Sequence, residues 1–156
     1  KELGGDHPHF PYGATMNFRS AEKLLIFTCY EFFVLPFVFL QTVIGLEKVL
    51  RYYYHNEQKS LSLKDLLLKA VADDLIPDVS FSDVTSDLKL DKHHHRFVPS
   101  DKLTDLIPDL RNKIAHGDYC LTADFLPLAL KVRAFADAVA DQLPDKSRSS
   151  RLNNPT

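Results

Sequence analysis

The chain of 156 residues is 45% hydrophobic and 26% charged, a composition that is typical of a folded domain and excludes an intrinsically disordered protein. Its length suits a single domain with a hydrophobic core of its own. The formal net charge of −2 excludes a protein that binds polyanions through its overall charge, so any contact with nucleic acid has to come from a local basic cluster.

The N-terminal third of the chain predicts a leader and two helices. Residues 1–17 are rich in Gly, Pro and His, which indicates a flexible leader. We expect one helix near 18–33 and a second near 37–56, because Pro36 suits the first turn of a new helix. The uncharged part of this apolar region has 15 residues, fewer than the roughly 20 that a membrane-spanning helix needs, so we expect no membrane contact.

The middle of the chain predicts a third helix, a long loop and a fourth helix. The sequence SLKD (62–65) resembles a capping box, which starts a helix that ends before Pro77. Residues 77–99 show no clear period and many turn formers, which is typical of a loop. A fourth helix is expected from residues 99–100 to His116, with Pro108 as a bend or a new first turn and Gly117 in the left-handed position after the helix end.

The last helix is expected to follow Asp124, because Pro127 fits only a first turn and the apolar positions up to Leu143 keep helical spacing. The polar residues 144–156 indicate a disordered tail. The sequence therefore predicts an all-α fold, an up-and-down bundle of about five helices over residues 18–143.

The cysteines and histidines give little sign of metal chemistry. The two cysteines, Cys29 and Cys120, lie in apolar stretches without metal-ligand spacing, which predicts buried thiols in a reducing compartment, here the cytoplasm. The run of three histidines at 93–95 lacks an acidic or cysteine partner at ligand spacing, so we expect neither a metal site nor a cofactor.

The segment RNKIAHG (111–117) carries the strongest functional signal. Asn112 and His116 are four residues apart and share a helix face, and the long side chain of Arg111 can reach that face. Arginine stabilises phosphate charge and histidine exchanges protons near neutral pH, a set that suits RNA cleavage without a metal ion. The simpler alternative is that Arg111 and His116 complement the helix dipole.

Residues Arg111 to His116 resemble the signature motif of the HEPN superfamily, and the segment 45–54 resembles the early helix of those domains. The resemblance implies a helical bundle with the motif on a late helix. It also implies metal-independent endoribonuclease activity in a toxin or defence effector, and a homodimer in which two motifs face one cleft. Other members are non-catalytic modules that bind RNA or a partner protein.

The resemblance assigns Arg111 to the phosphate, His116 to acid–base chemistry and Asn112 to orienting them. It implies single-stranded RNA as substrate, with an antitoxin or a larger defence complex as a further partner. Asp118 stands where a tyrosine is common in toxins that are paired with a nucleotidyltransferase antitoxin. Tyr119 is therefore either an accessory residue or a packing residue.

A local basic patch is predicted from Lys48, Arg51 and Lys113, which would contact RNA, and a dimer would double it. Glu47 lies four residues before Arg51, which most simply predicts a surface ion pair. Because polar residues on an early helix can also line the cleft of the family, Glu47 is retained as an accessory site residue.

Overall fold

The computed structural model describes residues 6–54, 61–77, 102–117 and 125–143. Within these ranges the chain forms five α-helices and no β-strand, so the predicted all-α bundle is confirmed. The helices are α1 (Tyr12–Phe27), α2 (Leu35–Tyr53), α3 (Leu63–Ala72), α4 (Leu103–Ala115) and α5 (Phe125–Asp141), with a short 3₁₀ turn at Phe32–Val34.

Helix α2 is the centre of the bundle and contacts all four other helices. Helix α1 runs antiparallel beside it, so that the start of α1 reaches the second half of α2, where Lys48 Nζ donates to the Gly13 carbonyl at 3.3 Å. Helix α5 runs in the same direction as α2, with the rings of Phe39 and Phe125 5.7 Å apart. Burial on several sides explains why α2 is apolar nearly all round.

One stretch of the described chain, Phe32–Tyr53, has 22 residues and is long and apolar enough to cross a membrane by length and composition. It is longer than the uncharged run seen in the sequence because the helix continues through charged residues such as Glu47 and Arg51. However, 56% of its most apolar window is buried inside the protein. A core helix of a soluble bundle has the same composition, so this stretch is weak evidence for a membrane span.

The expected flexible leader is wrong from Phe10 onward. Helix α1 begins at Tyr12, six residues before the predicted start, and follows Pro11, whose backbone is extended. The ring of Phe10 is buried and stacks on Phe18 at 4.9 Å, and the guanidinium of Arg133 lies 4.4 Å from the Phe18 ring. Pro11 and Gly13, which indicated a loop, therefore belong to a packed helix start, and residues 1–5 and 144–156 lie outside the described ranges.

The predicted helix signals of the middle region hold, except at Pro108. Ser62 and Asp65 form the expected capping box, with the Asp65 amide donating to Ser62 Oγ at 3.2 Å. Gly117 follows α4 with φ at 75°, as expected of a left-handed helix end. Pro108 neither resets nor ends α4, which continues through it. Proline has no N–H to donate to the carbonyl of Thr104 four residues earlier, so α4 lacks one internal hydrogen bond.

The connection between α1 and α2 is rich in exposed apolar side chains. We call this surface the hairpin tip, and it comprises Ile26, Phe27, Tyr30, Phe32, Phe33 and Phe37. Cys29 lies within the same connection and is exposed, so the prediction of a buried thiol is wrong there, because the chain turns away from the core after Phe27. Cys120 and the predicted loop beyond Pro77 lie outside the described residues.

Candidate functional site

A cleft of about 400 Å³ lies where α2, α3 and α4 meet. These three helices contact one another pairwise, so their ends and faces enclose a space between them. Each helix contributes polar side chains to the wall. The lining residues are Glu47 and Arg51 from α2, Ser62, Leu63 and Lys64 from the start of α3, and Pro108, Arg111 and Asn112 from α4.

Arg111 lines the cleft from α4, beside the buried residues Leu110 and Ile114 that hold this helix against the core. Its Nη1 donates to Oδ1 of Asn112 at 3.0 Å. Its Nε is buried and has no hydrogen-bond partner among the residues that the structure describes. A buried donor without an acceptor costs about 1–3 kcal/mol, and more when the group is charged.

Glu47 and Arg51 form the other wall of the cleft. Arg51 donates to Glu47 Oε1 from Nη2 at 2.7 Å and from Nε at 3.0 Å, and its Nη2 also donates to the carbonyl of Leu61 at 3.0 Å. The Glu47 side chain is only 19% exposed and that of Arg51 36% exposed. Glu47 therefore forms the expected ion pair with Arg51, and it also lines this cleft.

Lys64 is a cleft residue that sequence reasoning missed. It lies in the first turn of α3, and its Nζ is 2.6 Å from Asp105 Oδ1 on α4. The hydrogen bond to Asp105 raises the pKa of Lys64 above its ordinary value, so the ammonium stays charged. Hydrogen bonds from the side chain and backbone of Ser62 lower the pKa of the Asp65 carboxyl. The capping box in the sequence indicated this helix start, but not which helix it would face.

His116 does not line the cleft. It is exposed, and it caps α4 with its backbone N–H bonded to the carbonyl of Asn112 at 3.0 Å. Five residues of α-helix turn through roughly 140° beyond one full turn, so His116 lies well around the helix axis from Arg111, although it is only about 40° from Asn112. The structure therefore brings Arg111 and Asn112 together with Glu47 and Arg51, and it leaves the predicted acid–base group outside that cluster.

Both lysines that were predicted to bind RNA also lie outside the cleft. Lys48 faces α1, where its Nζ donates to Asn17 Oδ1 at 2.7 Å and to the Gly13 carbonyl at 3.3 Å. Lys113 pairs with Asp109 at 2.9 Å on its own helix. Both lysines lie on helix faces other than the one that lines the cleft, and each bonds to a neighbouring group there. Tyr119 lies outside the described residues.

The hairpin tip and the motif lie toward opposite ends of α2. Leu35 begins this helix next to the hairpin tip, and Arg51 lies 16 positions later beside the cleft, about 24 Å along the axis at 1.5 Å per residue. A dimer formed through the hairpin tip would therefore hold the two motifs far apart. A dimer with both motifs near its axis needs a surface at the cleft end of the bundle.

The described ranges contain no group of three or more His, Cys, Asp or Glu side chains that could hold a metal ion. No family model, curated protein or solved structure matches the chain.

Proposed function

We propose that the protein is a metal-independent endoribonuclease of HEPN type that cleaves single-stranded RNA. The observation that carries the proposal is the place of Arg111 in a cleft that also contains Arg51 and Lys64, with an Nε–H that has no acceptor among the residues the structure describes. A guanidinium that bonds a neutral amide of its own helix, and has no carboxylate partner among the described residues, can bind a phosphate oxygen.

The reaction uses the two groups that the motif supplies. A base removes the proton from a ribose 2′-hydroxyl, and the resulting oxygen attacks the adjacent phosphorus. The bond from phosphorus to the 5′-oxygen then breaks, and that oxygen receives a proton. Arg111 stabilises the additional negative charge on the phosphorane, and His116 exchanges the protons. The products are a 2′,3′-cyclic phosphate and a free 5′-hydroxyl.

The position of His116 makes a second chain part of the proposal. Because the imidazole is exposed and does not line the cleft of its own chain, it can serve a phosphate that is bound by Arg111 of another copy. We therefore propose a cytoplasmic homodimer with both motifs near the two-fold axis. The cellular role that goes with such an enzyme is that of a toxin or defence effector, held by an antitoxin or within a larger defence complex.

The second candidate is a non-catalytic HEPN module that binds RNA or a partner protein. It is favoured by the same separation of His116 from the cleft, because binding requires only the basic lining that surrounds Arg111. The two candidates predict different results when the histidine is removed. A nuclease loses its activity, whereas a binding module keeps its affinity for RNA.

The test is cleavage of a mixed RNA sample in excess EDTA, with analysis of the product ends. We expect cleavage to persist and to leave 2′,3′-cyclic phosphates, and His116→Ala to abolish it while helical content and melting stay nearly unchanged. Lys23→Gln, an exposed lysine on α1, is the matched surface control and should cleave like the natural protein. Loss of cleavage on chelation, or full activity of His116→Ala, would contradict the mechanism. RNA binding without any cleavage would favour the second candidate.

A further inference from the structure

Three cationic side chains from three different helices converge on the cleft between α2, α3 and α4: Arg51, Lys64 and Arg111. Like charges repel, so their shared position calls for compensating negative charge. Two carboxylates supply part of it, because Glu47 pairs with Arg51 and Asp105 pairs with Lys64. Arg111 bonds only the neutral amide of Asn112 within the described part of the chain, and its buried Nε–H remains without an acceptor.

The first turn of α3 also borders the cleft. Ser62, Leu63 and Lys64 all line the cleft, and the N-terminal end of a helix carries partial positive charge and free backbone N–H groups. The capping box engages the Asp65 amide, which belongs to the third residue of the helix, and leaves the amides of Leu63 and Lys64 without an intrahelical acceptor. Such amides bind phosphate oxygens when basic side chains lie close by.

We propose that this cleft is a subsite for a second backbone phosphate of RNA, next to the phosphate that is cleaved. Arg111 would stand between the two phosphates, with Lys64 and the first turn of α3 holding the neighbouring one. A volume of about 400 Å³ accommodates a phosphate with its nucleoside, so the ligand class is a nucleotide unit of an RNA strand. This inference rests on the proposed nuclease function for the identity of the strand, but phosphate binding itself can be measured without cleavage.

Lys64 and Asp105 provide a pair of variants with opposite expected effects. Lys64→Gln removes one cation from the subsite and should weaken binding of inorganic phosphate about fivefold, as expected for the loss of one partly exposed charge contact. Asp105→Asn removes the carboxylate that competes for Lys64 and should strengthen phosphate binding by a similar factor. If the ion pair only holds α3 against α4, both substitutions act in the same direction, through stability.

The measurement is a titration of backbone amide NMR shifts with inorganic phosphate at constant ionic strength, in the His116→Ala background so that no RNA chemistry intervenes. Shifts are expected at residues 62–64 and 111–112, and Lys23→Gln should leave the affinity unchanged. Amide dispersion and helical content establish that each variant is folded. Equal affinities of Lys64→Gln and Asp105→Asn, or shifts away from these residues, would overturn the subsite.

A second arm identifies the source of the phosphate. A 2′-O-methylated tetranucleotide, which cannot be cleaved, should displace inorganic phosphate from the cleft, and adenosine should not. Displacement by 5′-AMP alone would assign the cleft to a free nucleotide and overturn the RNA assignment. If the phosphate results hold and RNA is nevertheless not cleaved by the natural protein, the nuclease proposal fails and the subsite stands. If RNA is cleaved and Lys64→Gln binds phosphate normally, the subsite fails alone.

Discussion

Arg111 donates from Nη1 to the side-chain oxygen of its neighbour Asn112 at 3.0 Å, so the motif contains its own orienting contact for the guanidinium. Asn112 is exposed, whereas Nε of Arg111 is buried, and both residues line the cleft. A neutral amide can hold an arginine in this way without neutralising it, whereas a carboxylate at the same position would compete with a phosphate.

We therefore expect Asn112→Asp to impair RNA cleavage more than Asn112→Ala. Alanine removes the orienting contact and should reduce kcat/KM about tenfold, the order of one charge-assisted hydrogen bond. Aspartate should reduce it further, because the new carboxylate pairs with Arg111 and repels phosphate. Rates of cleavage on one defined RNA give the order. Since Asn112 is exposed, both variants should melt near the natural protein, and a rate for Asn112→Asp above that of Asn112→Ala would contradict this account.

Glu47 is the acidic residue that lines the cleft, and removing its charge should free Arg51 for RNA. We expect Glu47→Gln to tighten binding of single-stranded RNA at low salt. The slope of log affinity against log salt should become steeper by about 0.7, as for one additional phosphate contact. Fluorescence anisotropy over a salt series measures both quantities. Glu31→Gln, which removes a charge far from the cleft, is the control. Complete loss of cleavage by Glu47→Gln with normal RNA binding would instead identify Glu47 as a reacting group.

Gly45 of α2 lies against the ring of Phe18 on α1, and it should not tolerate a side chain. A Cβ at this position would lie 2.7 Å from Cζ and 2.8 Å from Cε1 of Phe18, whose ring is itself packed under Phe10. We expect Gly45→Ala to lower the free energy of unfolding by about 1–3 kcal/mol, as overpacked cores do. Gly13→Ala is the matched control, because its Cβ would meet only the flexible Lys48 side chain at 3.4 Å. Urea unfolding that ranks the two variants equally would contradict this packing.

The stability of the protein should decrease in alkali through Tyr54. Its hydroxyl donates to Asp73 Oδ2 at 2.8 Å, and burial together with this hydrogen bond raises the pKa of Tyr54 above its usual value near 10. Above that pH the unfolded chain loses the tyrosine proton before the folded chain does, so the free energy of unfolding falls as the pH rises. We expect Tyr54→Phe to be less stable at pH 7 and to show a shallower decline above pH 10. Parallel decline of both proteins would exclude Tyr54 as the cause.

The sequence predicts the fold of this chain better than it predicts the site. Hydrophobic periodicity identifies the helices, and Pro36, the SLKD box and Gly117 mark where helices start or end. These signals can be read from the sequence because they act locally, within one or two turns. The helical start at Tyr12 could not be seen, since its stability comes from the burial of Phe10 against distant side chains. Local signals also place Arg111 and His116 on one short segment. They do not show which of the two residues lines the cleft.

The membership of the cleft depends on tertiary contacts that no spacing rule records. Lys64 reaches the cleft because α3 docks its first turn beside α4, where Asp105 receives it. Lys48 does not line the cleft, because it faces α1, where Asn17 accepts a hydrogen bond from it. Nothing in the sequence distinguishes these two lysines. Only the packing of the helices determines which of them lines the cleft.

A homodimer could form through either of two surfaces, the hairpin tip or the cleft end of the bundle, and the two can be tested separately. The hairpin tip exposes a contiguous set of aromatic and aliphatic side chains, with Phe33 at 52% and Tyr30 at 83%, which is typical of a partner surface. It lies at the other end of α2 from the motif. A dimer that uses it should become monomeric in the Phe33→Ser variant by light scattering at micromolar concentration, and each chain would then have to act alone.

A dimer that shares its cleft makes a different prediction, and it is the one we expect for the nuclease, because His116 is exposed and is not part of the cleft lining of its own chain. Chains with Arg111→Ala still carry an intact histidine, and chains with His116→Ala still carry an intact arginine. When the two are mixed, heterodimers contain one site that is assembled from both chains. The mixture should therefore cleave RNA faster than either variant alone, with a yield that follows the fraction of heterodimer. The control is a mixture of His116→Ala with the double variant, which has no intact histidine and should remain inactive. A dimer without rescue would leave the assembly in place but contradict a site composed from both chains, and a monomer would contradict the dimer itself.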